Sequence, residues 1–194
     1  MSGQLSFLTA GTQPPAVADL EGLLLGLGQV VRMGGTARVS VLVDEGWRVD
    51  AVLAAYAERG LRGEALPAFD KLTAVRTAFA RPLLPLAERW VRGAVKAVPP
   101  RWALDGPRLR LWAIVAGQLD DHGYLLRLAP HDTAVWEPAG AALATVGLPA
   151  SFVGPRAEGP GYRLVGRRRL ARLREYVGEP PAGAPASGWP AWPG

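Results

Sequence analysis

An internal repeat constrains the fold of this chain more than any other feature of its sequence. An apolar helical segment at Leu20–Val30 ends in Gly28-Gln29-Val30, and a second one at Leu109–Leu119 ends in Gly117-Gln118-Leu119. A chain that repeats its sequence pattern in this way is expected to repeat its structure. The repeat therefore predicts two copies of one structural unit.

The two copies also agree downstream of these helices. An arginine follows the shared glycine at the same distance in each copy, as Arg38 and Arg127, and a turn sequence precedes it both times. A helical stretch then ends in Gly-Leu, at Gly60-Leu61 and at Gly147-Leu148. Glycine just past a helix is a common C-terminal cap. Because these matches occur in the same order, we infer that each unit has the order αββαββα.

The predicted fold class is therefore α+β, a tandem pseudo-twofold duplication with two antiparallel sheets and two packed central helices. In the first unit, the predicted helices are Ala16–Leu27, Trp47–Arg59 and Pro82–Arg92, and the predicted strands are Val30–Met33, Thr36–Val43, Leu61–Leu66 and Leu72–Phe79. The predicted organisation is an N-terminal segment 1–15, a first repeat 16–93, a linker 94–106, a second repeat 107–178 and a flexible Pro/Gly-rich tail 179–194, which we expect to be dispensable for folding.

Small residues at helical spacing explain why the first helices of the two units are expected to pack together. Gly22 and Gly26 lie about one turn apart in the first unit, as do Ala113 and Gly117 in the second. Residues at this spacing share one face of a helix. A neighbouring helix is therefore expected to approach closely along these faces.

The charge of the chain is compatible with an acidic partner such as nucleic acid. The net charge is +5, and all but two of the 22 basic residues are arginine, which binds phosphate in a bidentate manner. A GC-rich genome is the alternative explanation for so much arginine. The chain has no cysteine, which excludes disulfides and cysteine metal sites. Its longest apolar stretch, Leu20–Val31, is too short to cross a membrane, so we expect a cytoplasmic protein.

The linker and the second central helix resemble those of single-chain LAGLIDADG homing endonucleases. Trp90–Pro99 is similar to the family's linker, in which an aromatic helix end leads to Gly, Lys and Pro, and Leu109–Trp112 is similar to the start of the second signature helix. The resemblance covers about residues 16 to 178. It implies a saddle of two sheets that binds double-stranded DNA, and an acidic residue at the end of each signature helix that holds a divalent metal.

Leu27 and Ala116 occupy the positions that match the two signature acids. Neither side chain binds a hard cation such as Mg²⁺. The resemblance and this departure together predict a bacterial, monomeric, non-catalytic DNA-binding protein, not an enzyme, with no metal or cofactor. Such a protein is expected to be a regulator or a chromosome-associated factor in the nucleoid. The alternatives are a protein-interaction scaffold and an active metal-dependent endonuclease that uses Asp120 or Asp121.

Strand alternation gives the candidate DNA contacts. Arg38 and Ser40 are predicted on the exposed face of the first sheet, and Arg127 and Arg163 on that of the second. Exposed arginines on a sheet are alternatively a solvated face or protection of an edge. For three further candidates, the sequence pattern does not determine which face of the protein the side chain is on. They are Arg32, Arg76 and Lys96.

Overall fold

Two four-stranded antiparallel sheets of the same topology organise the structure, a computed structural model that describes residues 14–156 and 158–190. The helices are α1 (Glu21–Leu25), α2 (Gly46–Glu58), α3 (Leu84–Trp90), α4 (Gly106–Ala116), α5 (Thr133–Thr145) and α6 (Arg167–Val177). The strands are β1 (Gln29–Met33), β2 (Thr36–Val43), β3 (Gly63–Pro67), β4 (Thr73–Thr77), β5 (Val91–Arg92), β6 (Val95–Lys96), β7 (Gly117–Asp120), β8 (Gly123–Arg127), β9 (Ser151–Val153) and β10 (Gly161–Leu164).

The strand order is β1-β2-β4-β3 in the first sheet and β7-β8-β10-β9 in the second. Each sheet is preceded by a central helix, α1 or α4, and each unit closes with a helix, α3 or α6. The prediction of a duplicated α+β fold is therefore confirmed. The segment between the units adds a short hairpin, because β5 pairs with β6.

The first hairpin shows how the sequence sets strand orientation. Gly34 has φ +59°, a left-handed conformation that glycine adopts without a steric penalty, and this turn brings Met33 opposite Thr36. Along β2 the burial alternates, with Val39 and Val41 buried on the side of the helices. We call the other side the outer face of the sheet, and no helix of the described residues packs on it.

Helices α1 and α4 pack face to face at the centre of the protein. A Cβ atom on Gly22 would overlap the Arg108 carbonyl oxygen, and one on Gly26 would lie 3.1 Å from the Ala116 Cβ. The predicted close approach at these glycines is confirmed. Helix α1 ends at Leu25, before the predicted end at Leu27, because the chain turns at Gly26 and the Gly28 N–H donates to the Leu23 carbonyl oxygen (3.0 Å).

The described part of the C-terminal segment is packed against the protein, which corrects the expectation of a flexible tail. Trp189 is 3% exposed, and its Nε1 donates to the Gly178 carbonyl oxygen (3.0 Å). The guanidinium of Arg110 lies 5.1 Å from the centre of the Trp189 ring. The segment from Gly178 to Trp189 thus forms a loop whose ends meet, and we call it the C-terminal loop. Trp192, in the predicted tail 179–194, lies outside the described residues.

Candidate nucleic-acid interface

A cavity of about 250 Å³ lies where α1 and α4 end, and we call it the helix-end pocket. Leu27 and Ala116 both line it, at the positions matched to the signature acids. The polar and charged residues that line the pocket are Asp44, Glu45, Arg48, Gln118, Arg127 and Ser187. The pocket therefore combines residues from both repeats with one residue of the C-terminal loop.

Arg48 caps the end of α4 from the first repeat. Its Nη1 donates to the Ile114 carbonyl oxygen (2.5 Å) and its Nη2 to the Gly117 carbonyl oxygen (2.8 Å). Carbonyl oxygens at a helix C-terminus lack intrahelical partners, and a cation satisfies them well. In the part of the chain that the structure describes, the Arg48 Nε has no hydrogen-bond partner, but the carboxylates of Asp44 (3.5 Å) and Glu45 (3.6 Å) lie beside it.

Lys96 has the corresponding position at the end of α1. Its Nζ donates to the Gly28 carbonyl oxygen (2.7 Å) and forms an ion pair with Asp132 (2.7 Å) of the second repeat. Asp132 also accepts from the Gln29 side chain (3.1 Å). Burial lowers the pKa of Lys96, while the hydrogen bond and the negative charge of Asp132 oppose that shift. Both central helices therefore end on a buried cation.

Leu27 and Ala116, at the ends of the central helices, supply no ligand for a divalent metal ion. Mg²⁺ requires oxygen ligands, which Leu27 and Ala116 lack, and the nearby carbonyl oxygens bind Lys96 and Arg48. Residues 14–156 and 158–190 contain no group of three or more His, Cys, Asp or Glu side chains that could hold a metal ion. The carboxylates that remain at the pocket are those of Asp44 and Glu45.

The outer face of the first sheet presents three of the predicted DNA contacts. Arg38 is half-buried, with its guanidinium 4.4 Å from the centre of the Phe79 ring. Ser40 lies opposite Arg76 in the pairing of β2 with β4. Arg76 is paired with Glu64 of the neighbouring strand (2.7 Å), so its charge is neutralised locally.

The outer face of the second sheet presents two predicted DNA contacts, Arg127 and Arg163, which differ in exposure and in ion pairing. The Arg127 side chain is exposed and reaches the helix-end pocket. The Arg163 side chain is only 11% exposed and forms ion pairs with Asp120 (3.0 Å) and Glu158. The Asp120 carboxylate also accepts from the His122 backbone N–H (2.8 Å), so Asp120 fixes the β7–β8 turn. Arg127 is thus available to a ligand, and Arg163 is not.

Two of the weaker candidates lie elsewhere. Arg32 belongs to the side of β1 that packs towards the helices, since its pair in β2 is the buried Ala37, and its guanidinium lies 3.9 Å from Glu88 of α3. Lys96 is 5% exposed, so it is a buried helix cap and does not reach the outer face. In both cases, contacts with the rest of the fold set the orientation that the local pattern left open.

Sequence reasoning missed Arg48, Asp132 and Glu158 as members of these clusters. Arg48 follows Asp44 at helical spacing, a pattern that sequence reading assigns to a solvated helix face. Asp132 directly precedes α5, and the repeat aligns it with Glu45, which precedes α2. That alignment was the sequence signal that the two acids occupy equivalent positions in the two repeats.

Apolar side chains also lie on the outer face of the first sheet. Val31 is 50% exposed and Met33 60% exposed, and both alternate with the inward-facing residues of β1.

Residues 14–156 and 158–190 contain no helix long and apolar enough to cross a membrane.

Comparison of the structure with solved structures identifies the fold. The structure of the homing endonuclease I-WcaI bound to its DNA recognition sequence matches with a TM-score of 0.58 and 11% identity, over 82% of this chain and 78% of that chain. A structure of I-DmoI in complex with DNA and Mn matches with a TM-score of 0.46 and 14% identity, over 84% of this chain and 96% of that chain. No family model and no curated protein matches the sequence. The fold is that of the LAGLIDADG homing endonucleases.

This comparison corrects one expectation from the sequence. We expected the chain not to be an enzyme because Leu27 and Ala116 replace the signature acids. A solved structure with the same fold is that of a homing endonuclease, and this finding overturns the expectation.

Proposed function

We propose that this chain binds double-stranded DNA along the outer faces of its two sheets. The observation that carries the proposal is the pair of repeat-related arginines, Arg38 and Arg127, which lie on the outer faces of different sheets. Among the described residues, neither forms an ion pair with a carboxylate, in contrast to Arg76 and Arg163. Two unpaired guanidinium groups related by the repeat suit a ligand with regularly spaced negative charge.

The fold supports the same proposal. The structure with a TM-score of 0.58 to this chain is that of an endonuclease bound to its DNA recognition sequence. The excess of positive charge, +5 for the whole chain, favours association with a polyanion. On this proposal, we expect a chromosome-associated protein that acts as a monomer.

Fluorescence anisotropy with a labelled random duplex at several salt concentrations tests the proposal. We expect Arg38→Ala and Arg127→Ala each to weaken binding and to reduce the slope of log K against log salt by about 0.9, the value for one lost phosphate contact. Arg174→Ala, on the exposed surface of α6, is the matched control. Binding that does not depend on salt, or that both arginine variants leave unchanged, would refute DNA binding. The exposed Val31 and Met33 would then favour a protein partner.

Cleavage of the bound duplex is the second candidate function. The fold comparison favours it, as do the carboxylates of Asp44 and Glu45 in the helix-end pocket. Magnesium in phosphoryl-transfer sites is often held by one or two carboxylates together with substrate phosphates. The test is incubation of the protein and its best-bound duplex with Mg²⁺ or Mn²⁺.

The variants in that test separate two sources of carboxylate. Cleavage that Asp44→Asn/Glu45→Gln abolishes and Asp120→Asn/Asp121→Asn preserves would assign the activity to the helix-end pocket. The reverse pattern would assign it to the β7–β8 turn. Asp120 is paired with Arg163 in that turn (3.0 Å) and does not line the pocket. If the protein cleaves DNA, we therefore expect Asp44→Asn/Glu45→Gln to abolish the cleavage.

A further inference from the structure

Each sheet carries one arginine on its outer face whose charge is already taken by carboxylates. In the first sheet, Arg76 of β4 binds Glu64 of β3 (2.7 Å). In the second, Arg163 of β10 binds both Asp120 and Glu158. Both arginines lie on the strand next to the outermost strand of their sheet, so the arrangement occurs in both repeats.

The two carboxylates around Arg163 have different roles. Asp120 is 25% exposed and is fixed by the hydrogen bond from the His122 N–H. Glu158 is 57% exposed, and its ion pair with Arg163 is the contact that the structure gives its carboxylate. Asp120 alone would neutralise Arg163, so Glu158 leaves the cluster with a net negative charge.

The Arg163 cluster has the chemistry of a phosphate site that a glutamate occupies. A guanidinium binds a phosphate through paired N–H donors, as it binds a carboxylate. The Arg163 Nη2 donates to Glu158, and the buried Nε has no hydrogen-bond partner among the described residues. A phosphate that displaced the Glu158 carboxylate would receive the donor that Glu158 now takes.

We propose that Glu158 and Glu64 are internal competitors that hold Arg163 and Arg76 closed to DNA backbone phosphates and so set the affinity of the protein for DNA. The inference rests on the proposed DNA binding at the outer faces. It divides the arginines of those faces into two classes. Arg38 and Arg127 contact DNA in the wild type, whereas Arg76 and Arg163 contact DNA only when their glutamates are displaced.

Substitution of each glutamate by glutamine, which has nearly the same shape but no charge, tests this inference. We expect Glu158→Gln to bind a random duplex about threefold to tenfold more tightly and to increase the slope of log K against log salt by about 0.9, as one added phosphate contact requires. Glu64→Gln should behave in the same way. The matched control is Glu175→Gln, which makes the same change in net charge on an exposed position of α6.

A double-mutant cycle assigns the effect to the ion pair. In an Arg163→Ala background, Glu158→Gln should have no more effect on affinity than Glu175→Gln. Equal effects of Glu158→Gln and Glu175→Gln in the wild-type background would overturn the inference and leave the proposed function intact. Absence of salt-sensitive DNA binding in both the wild type and Glu64→Gln/Glu158→Gln would overturn the inference and the proposed function. Binding by that double variant alone would support the competition by the glutamates and refute the contacts assigned to Arg38 and Arg127 in the wild type. A cooperative thermal unfolding transition, measured for each variant, serves as the control for folding.

Discussion

At the residue scale, two buried cations lie beside Leu27 and Ala116 and cap the central helices. Lys96 binds the Gly28 carbonyl oxygen just past the end of α1, and Arg48 binds the Gly117 carbonyl oxygen just past the end of α4. Each cation comes from outside the helix whose end it caps. Leucine and alanine close the helix interface with apolar contacts and place no second charge beside these cations. The arrangement stabilises the helix ends and ties the two repeats together.

Lys96 is therefore expected to be important for stability. Lys96→Met leaves the Asp132 carboxylate and the Gly28 carbonyl oxygen without the ammonium group that both now bind. Removal of one partner from a buried ion pair typically costs about 3 kcal/mol or more. We expect a loss of about 3 kcal/mol in the free energy of unfolding, measured with urea.

The other lysine of the chain provides the control. Lys71 is exposed, so Lys71→Met should change the stability by less than about 0.5 kcal/mol. The variant Lys96→Met/Asp132→Leu removes both charges and should recover part of the loss, since an apolar pair often replaces a buried ion pair without cost. Equal stability of Lys96→Met and Lys71→Met would contradict the role assigned to Lys96.

Among the structural elements, the C-terminal loop connects parts of both repeats. Its Gly188 lies against Trp47 of the first repeat, and the Gly188 carbonyl oxygen accepts from the Tyr124 hydroxyl of the second (3.3 Å). The loop also brings Ser187 to the helix-end pocket. The loop therefore contacts both repeats.

Trp189 is the anchor of this loop, and its removal should destabilise the whole protein. Truncation of a buried tryptophan typically costs about 3 kcal/mol or more, and Trp189→Ala also removes the hydrogen bond to the Gly178 carbonyl oxygen. We expect a decrease in the melting temperature of about 6 °C or more, measured by circular dichroism. Phe69→Ala, at a side chain that is 66% exposed, is the control and should leave the melting temperature unchanged. A shift of equal size in both variants would rule out the anchor.

Elements with a strong local pattern could be predicted from the sequence. The bounds of β2 agree with the prediction at both ends, because valines alternate along it and Gly34-Gly35 marks its turn. The C-terminal loop could not be predicted, because alanine, proline and glycine show no periodicity and its docking depends on one tryptophan. Composition predicts how a segment behaves alone, and the loop is held by contacts with both repeats.

At the scale of the whole molecule, the sequence predicts the orientation of a candidate side chain only where a single strand determines it. Arg38 and Arg127 follow from strand alternation, and the structure places both on outer faces. The partners of Lys96 and of Arg163 come from distant parts of the chain. A basic residue that contacts DNA and one that caps a helix look alike in the sequence until these partners are known.

Fusion of the two repeats makes a monomer the expected state in solution. The second repeat supplies within one chain the partner for α1 that a half-length protein would need from another copy, because α4 packs against Gly22 and Gly26. We expect light scattering at low micromolar concentration to give a mass near 20.6 kDa. A stable species of twice that mass would contradict this prediction.

The same contacts predict that neither repeat folds alone. Leu23, Leu24 and Leu25 of α1 are fully buried, and residues 1–100 without α4 would expose the face of α1 that packs on it. Such a half would also leave Arg48 without the carbonyl oxygens at the end of α4. We expect residues 1–100 and residues 101–194, produced separately, to lack cooperative thermal unfolding. Mixed in equal amounts, they should form a 1:1 complex that unfolds in one transition. Cooperative unfolding of either half alone would show that the repeats are independent and that their interface is dispensable for folding.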